Sequence, residues 1–231
     1  MFIHESMTRD VLTVGPETAI LAAQTLMAQN GIGHLPVVVE DDILVGIVSD
    51  RDIRSAMPST VLSDIEKTDR QERLASIKVK DIMTANPVTV SPSQTIEDAL
   101  LILQNIRIGA LPVVDENGKL EGIISVRDLM RAFAQVLGLG EPGERIGIVV
   151  EDQLGQMKRV VDAITETGVS VGSILVSPVW EEGKRTIFPY LLTHNISKVK
   201  KHLREEGFAL LDPMQWYLDR LPKRKTTEKE D

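Results

Sequence analysis

The sequence predicts an α+β protein in which two pseudo-symmetric βαββα units pack as a pair and a separate βαββαβ domain follows. Three observations carry this prediction. The first is an internal repeat. Slid against itself by 76 positions, the chain places Met7-Thr8 on Met83-Thr84 and Leu12-Thr13-Val14 on Val88-Thr89-Val90. The same shift places Ile32-Gly33-His34-Leu35-Pro36-Val37-Val38 on Ile108-Gly109-Ala110-Leu111-Pro112-Val113-Val114, and Gly46-Ile47-Val48-Ser49-Asp50-Arg51-Asp52 on Gly122-Ile123-Ile124-Ser125-Val126-Arg127-Asp128. No gap is needed between Met7 and Ala56, and roughly two in five positions are identical, which marks a duplicated unit. The second is that apolar spacing inside each copy alternates between helical and extended patterns. The third is a breaker-rich stretch, 137–144, beyond which the repeat stops and a different pattern begins. The expected organisation is therefore copy one at 1–60, a connecting segment at 61–78, copy two at 79–136, a linker at 137–144, a second domain at 145–212 and a C-terminal extension at 213–231.

Each copy reads alike. Thr13-Val14 is a short strand closed by Pro16, and Thr18 is placed to cap a helix with Ile20, Ala23 and Met27 on its buried face. The twin helix carries Ile96, Ala99, Leu100 and Leu103, and Gly31 or Gly109 stands near the helix end. Leu35 to Val39 is a β-branched run and hence a buried strand. Asp41-Asp42 and Glu116-Asn117-Gly118 supply turn chemistry before the second strands, Leu44 to Val48 and Leu120 to Ile124. Ser49 and Ser125 then fall at strand-to-helix junctions as N-caps, with Asp52 and Asp128 three residues on. The connecting segment is polar, with helix expected around Arg73 to Ile77. Met7 and Met83 are expected to fill the interface between the copies.

After the linker, Ile146 to Val150 reads as a strand. Gln153 to Thr167 follows as a helix with Met157, Val160, Val161 and Ile164 on one face. Val169 to Val176 and Arg185 to Thr193 form a hairpin through Glu181-Glu182-Gly183-Lys184. A helix with Ile196, Val199 and Leu203 and a strand from Phe208 to Leu211 complete a βαββαβ order. Pro189 inside a strand argues for an edge position or a bulge. Trp180 and Trp216 are expected as packing anchors, and the chain from Pro222 as a solvated charged tail.

Composition narrows the function. Lys and Arg number 26 against 34 Asp and Glu, for a net charge of −8. A field of that sign repels phosphate backbones and anionic lipid, so neither nucleic acid nor membrane is an expected partner. The absence of Cys excludes disulfides and thiolate metal sites and fits a reducing, cytoplasmic compartment. No apolar run reaches the ~18 residues of a membrane span, and Met1 to Glu5 shows no secretory leader. His34, His194 and His202 have no metal-ligand spacing, so no metal is expected. Gly138 to Gly143 spells G-x-G-x-x-G, but a helix precedes it and a strand follows, the reverse of a dinucleotide-binding loop.

The chemistry sits in the duplicated Gly-x-x-Ser-x-Arg-Asp. A helix start offers free N–H groups to phosphate. Arg51 and Arg127 add charge-assisted contacts, and the Asp carboxylate suits the two hydroxyls of a ribose. These motifs, with Met-Thr…Thr-Val-x-Pro and Ile-Gly-x-Leu-Pro-Val-Val, each present twice over residues 3–135, resemble a tandem of cystathionine-β-synthase (CBS) domains. The resemblance implies a regulatory module with an adenosine nucleotide, AMP, ADP, ATP or S-adenosylmethionine, in the clefts between the copies. It directs Ser49 and Ser125 toward phosphate, Asp52 and Asp128 toward ribose, and Ile32-Gly33 and Ile108-Gly109 toward the base. It adds Thr13 and Thr89 to the nucleotide contacts, and it makes His34 a basic phosphate contact where copy two has Ala110.

The second domain resembles an ACT domain, a small ferredoxin-like sensor that pairs by its sheet edges and often takes an amino acid. Its ligand loop would be Asp152, Gln153, Leu154 and Gly155, with Leu154 where that family usually has Pro. A dimerisation domain without a ligand fits the same residues, and both readings stand at this point. The whole architecture resembles the acetoin-utilisation AcuB group. Together these imply a non-catalytic cytoplasmic sensor, homodimeric, requiring no cofactor, acting on a regulated protein in acetoin or central carbon metabolism. The competing classes are a structural interaction protein with empty clefts, a transcription-linked regulator and an enzyme regulated in cis. The last would need a catalytic domain for which no chain is left.

Overall fold

The computed structural model describes residues 1–57 and 76–211. The expected helix at Arg73 to Ala75, Trp216, the tail from Pro222 and the side chain of Trp180 lie outside the described residues. The chain divides into two compact units, Met1–Ala132 and Phe133–Asp231.

In the first unit the β-branched runs pair as two matching antiparallel hairpins. In copy one, β1 (His34–Val38) and β2 (Leu44–Ser49) run in the register Leu35↔Val48. The matching strands of copy two keep the register Leu111↔Ile124, and the irregularity between Val37 and Val38 recurs between Val113 and Val114. Copy one flanks its hairpin with α2 (Ile20–Asn30) and α3 (Asp50–Ala56), after a short opening helix α1 (Ile3–Ser6). Copy two opens with β3 (Thr84–Ala85) and continues through α4 (Ile96–Ile106), β4 (Ala110–Val114), β5 (Leu120–Ser125) and α5 (Val126–Val136). The core of copy one is aliphatic: Val14, Ala23, Met27, Leu35, Val37, Val48 and Ile53. Burying each Val, Leu or Ile is worth about 1.5–3 kcal/mol relative to exposure. The expected short strands reduce to single parallel bridges, Val14 to Val37 and Val90 to Val113.

The copies exchange their opening segments. Residues around α1 pair with copy two: Ile3 N donates to Gln94 O, Phe2 bridges Thr95, and Thr8 bridges Ile123. Residues around 78–85 pair with copy one: Ala19 bridges Lys78, Val79 N donates to Thr18 O, and β3 adds to β2 through Ile47↔Thr84. Val79 is fully buried in the core of copy one. As expected, the methionines fill this seam. A Cβ built on Gly122 would lie 2.7 Å from Met7 Sδ, and one on Gly46 would meet Met83 Sδ in the same way, so only glycine fits under each thioether.

One local expectation is corrected, and two are refined. Thr18 does not cap α2. The N-cap is Ala19, with no side-chain hydrogen bond, because the pairing of Ala19 with Lys78 holds the chain extended one residue further. Leu100 is 38% exposed while Ile96, Ala99 and Leu103 are buried, so the buried stripe of α4 is narrower than its apolar content. Gly31 does end α2, at φ 62, but its twin in copy two is Arg107, held at φ 60, and not Gly109.

The second unit builds one antiparallel sheet. Its strands are β6 (Glu144–Arg145), β7 (Gly147–Glu151), β8 (Val171–Glu181), β9 (Lys184–Leu191) and β10 (Ala209–Leu211), with α6 (Gln156–Glu166) and α7 (Ser197–Glu205) between them. β10 pairs with β7, β7 and β6 with β9, and β9 with β8, which gives a βαββαβ chain order with β9 inside the sheet. Pro189 is therefore not at an edge. Its carbonyl accepts from Ile146 N, where the ladder is interrupted between β6 and β7, so its missing N–H falls at a break in pairing. The buried face of α6 is Val160, Ala163 and Ile164; Met157 is 38% exposed and Val161 only partly buried. The G-x-G-x-x-G stretch lies between α5 and β6, as its flanks predicted.

Candidate functional site

Both Ser-x-x-Asp pairs form reciprocal caps. Ser49 N and Ser49 Oγ donate to Asp52 Oδ2 at 2.8 and 2.7 Å, and Asp52 N donates to Ser49 Oγ at 3.2 Å. In copy two, Ser125 N and Oγ donate to Asp128 Oδ2 at 2.9 and 2.6 Å, and Asp128 N donates back to Ser125 Oγ at 3.3 Å. The placement follows from the sequence: a strand delivers a Ser in extended backbone, and the carboxylate three residues on returns to satisfy the free N–H groups of the helix start. Each hydroxyl proton is thereby directed at its own carboxylate. A phosphate contact by Ser49 or Ser125 requires that hydroxyl to leave its Asp. What the pair does in place is fix the carboxylate rotamer.

The two carboxylates differ beyond that. Asp128 is 8% exposed, and Arg131 Nη1 also donates to its Oδ1 at 3.2 Å. Asp52 is only half-buried, and position 55, the twin of Arg131, is Ser.

A cleft of about 570 Å³ gathers residues from both copies. Copy two contributes Gly109, Ala110, Ile123, Ser125, Arg127, Asp128 and Arg131. Copy one contributes Asn30 to His34, from the end of α2 to the start of β1, and the opening segment adds Thr8, Asp10, Val11 and Leu12. Of the predicted contacts, Ile32, Gly33, His34, Gly109, Ser125, Arg127 and Asp128 thus share one cleft, while Ser49, Arg51, Asp52, Ile108, Thr13 and Thr89 do not line it. The sequence did not single out Thr8, Asp10, Val11, Leu12, Asn30, Gly31, Ile123 or Arg131 as contacts. For Arg131 a signal existed, since Asp128 and Arg131 stand three apart on one helix face. Thr8, Asp10, Val11 and Leu12 arrive through the exchange of segments, which no local pattern announces, while Asn30 and Gly31 end α2 beside the predicted Ile32, and Ile123 lies on β5.

His34 lies across the seam. A Cβ on Gly109 would come within 2.8 Å of His34 Cε1 and 2.9 Å of Nε2, so the imidazole rests on bare glycine backbone. Ala110 stands at the matched position of copy two, and a Cβ on Gly33 would meet only Asp50, at 3.8 Å. Burial pushes the His34 pKa below its ordinary 6.5; Asp50 and Asp52 pull it back and Arg51 adds to the lowering. The expected basic contact is thus a largely neutral imidazole at pH 7.

In the second unit, Asp152 pairs with Arg185 across the sheet, and Gly155 holds φ 87 at the start of α6. Leu154 between them is fully exposed, where a loop proline was the expectation of the resemblance. Among the described residues, no group of three His, Asp or Glu is placed to hold a metal ion, and no helix is long and apolar enough to cross a membrane.

Comparison with known proteins assigns the first unit. The CBS domain model matches residues 3–59 and 79–135. A CBS domain-containing protein of Dictyostelium discoideum is 34% identical over 137 residues, covering 59% of this chain and 94% of that protein. The inosine-5'-monophosphate dehydrogenase of Korarchaeum cryptofilum is 40% identical over 121 residues, which is 52% of this chain but only 22% of the enzyme. Among solved structures, a Vibrio cholerae protein named for acetoin utilization (AcuB) superposes with a TM-score of 0.50 at 26% identity, over 62% of this chain and 98% of that one. With both duplicated segments matched and the hairpins, exchanged openings and reciprocal caps in place, the chain belongs to the CBS domain family, as a tandem CBS pair.

Proposed function

We propose that the chain is a non-catalytic sensor that takes an adenosine nucleotide (AMP, ADP, ATP or S-adenosylmethionine) in the cleft between its CBS copies. One observation carries the reading. Asp128, its rotamer fixed by Ser125, lines the same cleft of about 570 Å³ as Ile32, Gly33 and His34 of the other copy. That volume lies within the ~300–1,000 Å³ range of small-molecule sites. A carboxylate suits the ribose hydroxyls, Val11, Leu12, Ile32 and Ile123 offer an apolar wall to a purine, and Arg127 offers charge to a phosphate. Residues from both copies line the cleft, so a ligand that binds one arrangement of the pair more tightly biases the pair toward it.

The reading extends to the second unit. Its βαββαβ order supports an ACT-type sensor or dimerisation domain, with an amino acid at the Asp152–Gly155 loop as the ligand to test. A homodimer is the expected assembly, reporting to a regulated protein, and the likeness to the Vibrio cholerae protein supports a role in acetoin metabolism.

The test is thermal. A ligand bound only by the folded chain stabilises it by RT ln(1 + [L]/Kd), so a hundredfold excess over Kd adds about 2.7 kcal/mol and raises the melting temperature. Asp52→Ala with Asp128→Ala lowers the starting melting temperature through loss of two caps, about 1 kcal/mol each. The readout is the further rise on adding AMP or ATP, expected in the parent chain and absent in the double variant. An equal rise in both removes the ribose assignment.

A further inference from the structure

We infer that Arg131 is a specificity-determining residue that makes the copy-two carboxylate accept a phosphorylated nucleoside in preference to a bare one. The copy-one carboxylate, with Ser55 at the matched position, lacks that discrimination. The inference rests on the nucleotide reading above and assigns a role to a residue that none of the duplicated motifs contains.

The two oxygens of Asp128 have different partners. Oδ2 is committed to Ser125 N and Oγ. Oδ1 accepts from Arg131 Nη1 at 3.2 Å. The Asp128 side chain is 10% exposed and that of Arg131 63%, so the carboxylate is held while the guanidinium is anchored by one bond at the edge of the cleft. Four of the five N–H donors of Arg131 remain available to a ligand. A ribose hydroxyl that donates to Oδ1 shares that oxygen with the guanidinium. A neutral nucleoside offers the remaining donors of Arg131 only uncharged acceptors. A nucleotide brings an anionic group into a cleft lined by Arg131 and Arg127, whose carboxylates among the described residues are Asp10 and the already paired Asp128. Charge-assisted bonds from a guanidinium to phosphate are about twice as strong as neutral ones.

Copy one has the same cap but not this arrangement. Asp52 Oδ2 is held by Ser49 as in copy two. Ser55 carries no charge, and the neighbouring Arg54 pairs with Asp50 at 2.8 Å. The duplication therefore kept the carboxylate twice and the guanidinium once.

Calorimetric titration of the full chain with AMP and with adenosine tests this, in an Asp52→Ala background that leaves the copy-two carboxylate alone. The expected result is AMP bound at least tenfold more tightly than adenosine, the gain of one charge-assisted contact. Arg131→Ser, which installs the copy-one residue, should lower AMP affinity about tenfold. It should leave adenosine affinity unchanged or raised, since Oδ1 loses its competitor. Arg131→Lys should keep part of the preference, retaining charge without the planar fork. Equal losses for both ligands in Arg131→Ser, or an unchanged AMP-to-adenosine ratio, overturn the inference and leave the nucleotide reading standing. Failure of the parent chain to bind either compound overturns both.

Discussion

His34 is a base whose surroundings suppress its charge. Its ring packs on the Gly109 backbone, and the resulting burial outweighs the pull of Asp50 and Asp52 toward protonation. A folded pKa below the unfolded value near 6.5 means that the unfolded chain binds more protons as pH falls through and below that value. The stability contributed by neutral His34 is therefore complete above pH ~6.5 and is lost progressively below it. Melting temperatures measured from pH 7.5 down to 5.5 should fall. His34→Ala, which gives copy one the residue that copy two already has, should flatten that slope even though its absolute stability drops with the lost packing. A slope unchanged by the substitution would show that other groups carry the pH dependence.

The helices that open the two copies differ by a cap. In α4, Thr95 N and Oγ1 donate to Asp98 Oδ2, and Asp98 N donates to Thr95 Oγ1. In α2 the matched residues are Ala19 and Ala22, with no side-chain cap. Ala19 already has the extended backbone of an N-cap, and Ala22 is exposed. Ala19→Thr with Ala22→Asp should therefore transplant the cap, adding about 1 kcal/mol and raising the melting temperature about 2–4 °C. Urea titration with an unchanged m-value would check it; no gain would mean that the Lys78 pairing already serves those N–H groups. The same contrast explains what the sequence disclosed. The Ser-x-x-Asp caps were legible because donor and acceptor lie within one helical turn. The hairpins were legible because β-branched runs flank turn residues. Thr18 misled because its position in the chain matches a cap, and only the distant Lys78 displaces it. Pro189 pointed to an irregularity correctly but not to a central strand, since which neighbours β9 acquires is decided by residues on either side of it in space.

The exchange of opening segments decides what kind of object the pair is. Ile3 is fully buried, yet its backbone bonds to Gln94, so it serves the core of the copy to which its sequence does not belong. Val79 does the converse in copy one. Neither copy completes its sheet alone, and the cleft inherits this dependence: Thr8 lines it and simultaneously bridges Ile123. Nothing in the repeat itself revealed the exchange, because a shift of 76 positions matches equally well whether each opening segment packs on its own copy or on the other. The two arrangements make opposite predictions for one substitution. Truncating a fully buried Ile to Ala costs about 2–5 kcal/mol, and the loss falls first on the elements that packed around it. Under exchange, Ile3→Ala should raise amide hydrogen exchange in α4 and the β4–β5 hairpin before α2 and the β1–β2 hairpin. It should also weaken nucleotide binding severalfold, because Thr8 is tethered through the same segment. Faster exchange appearing first in residues 20–56 would mean that the opening helix stabilises its own copy, and the cleft would then have to be built without a shared segment.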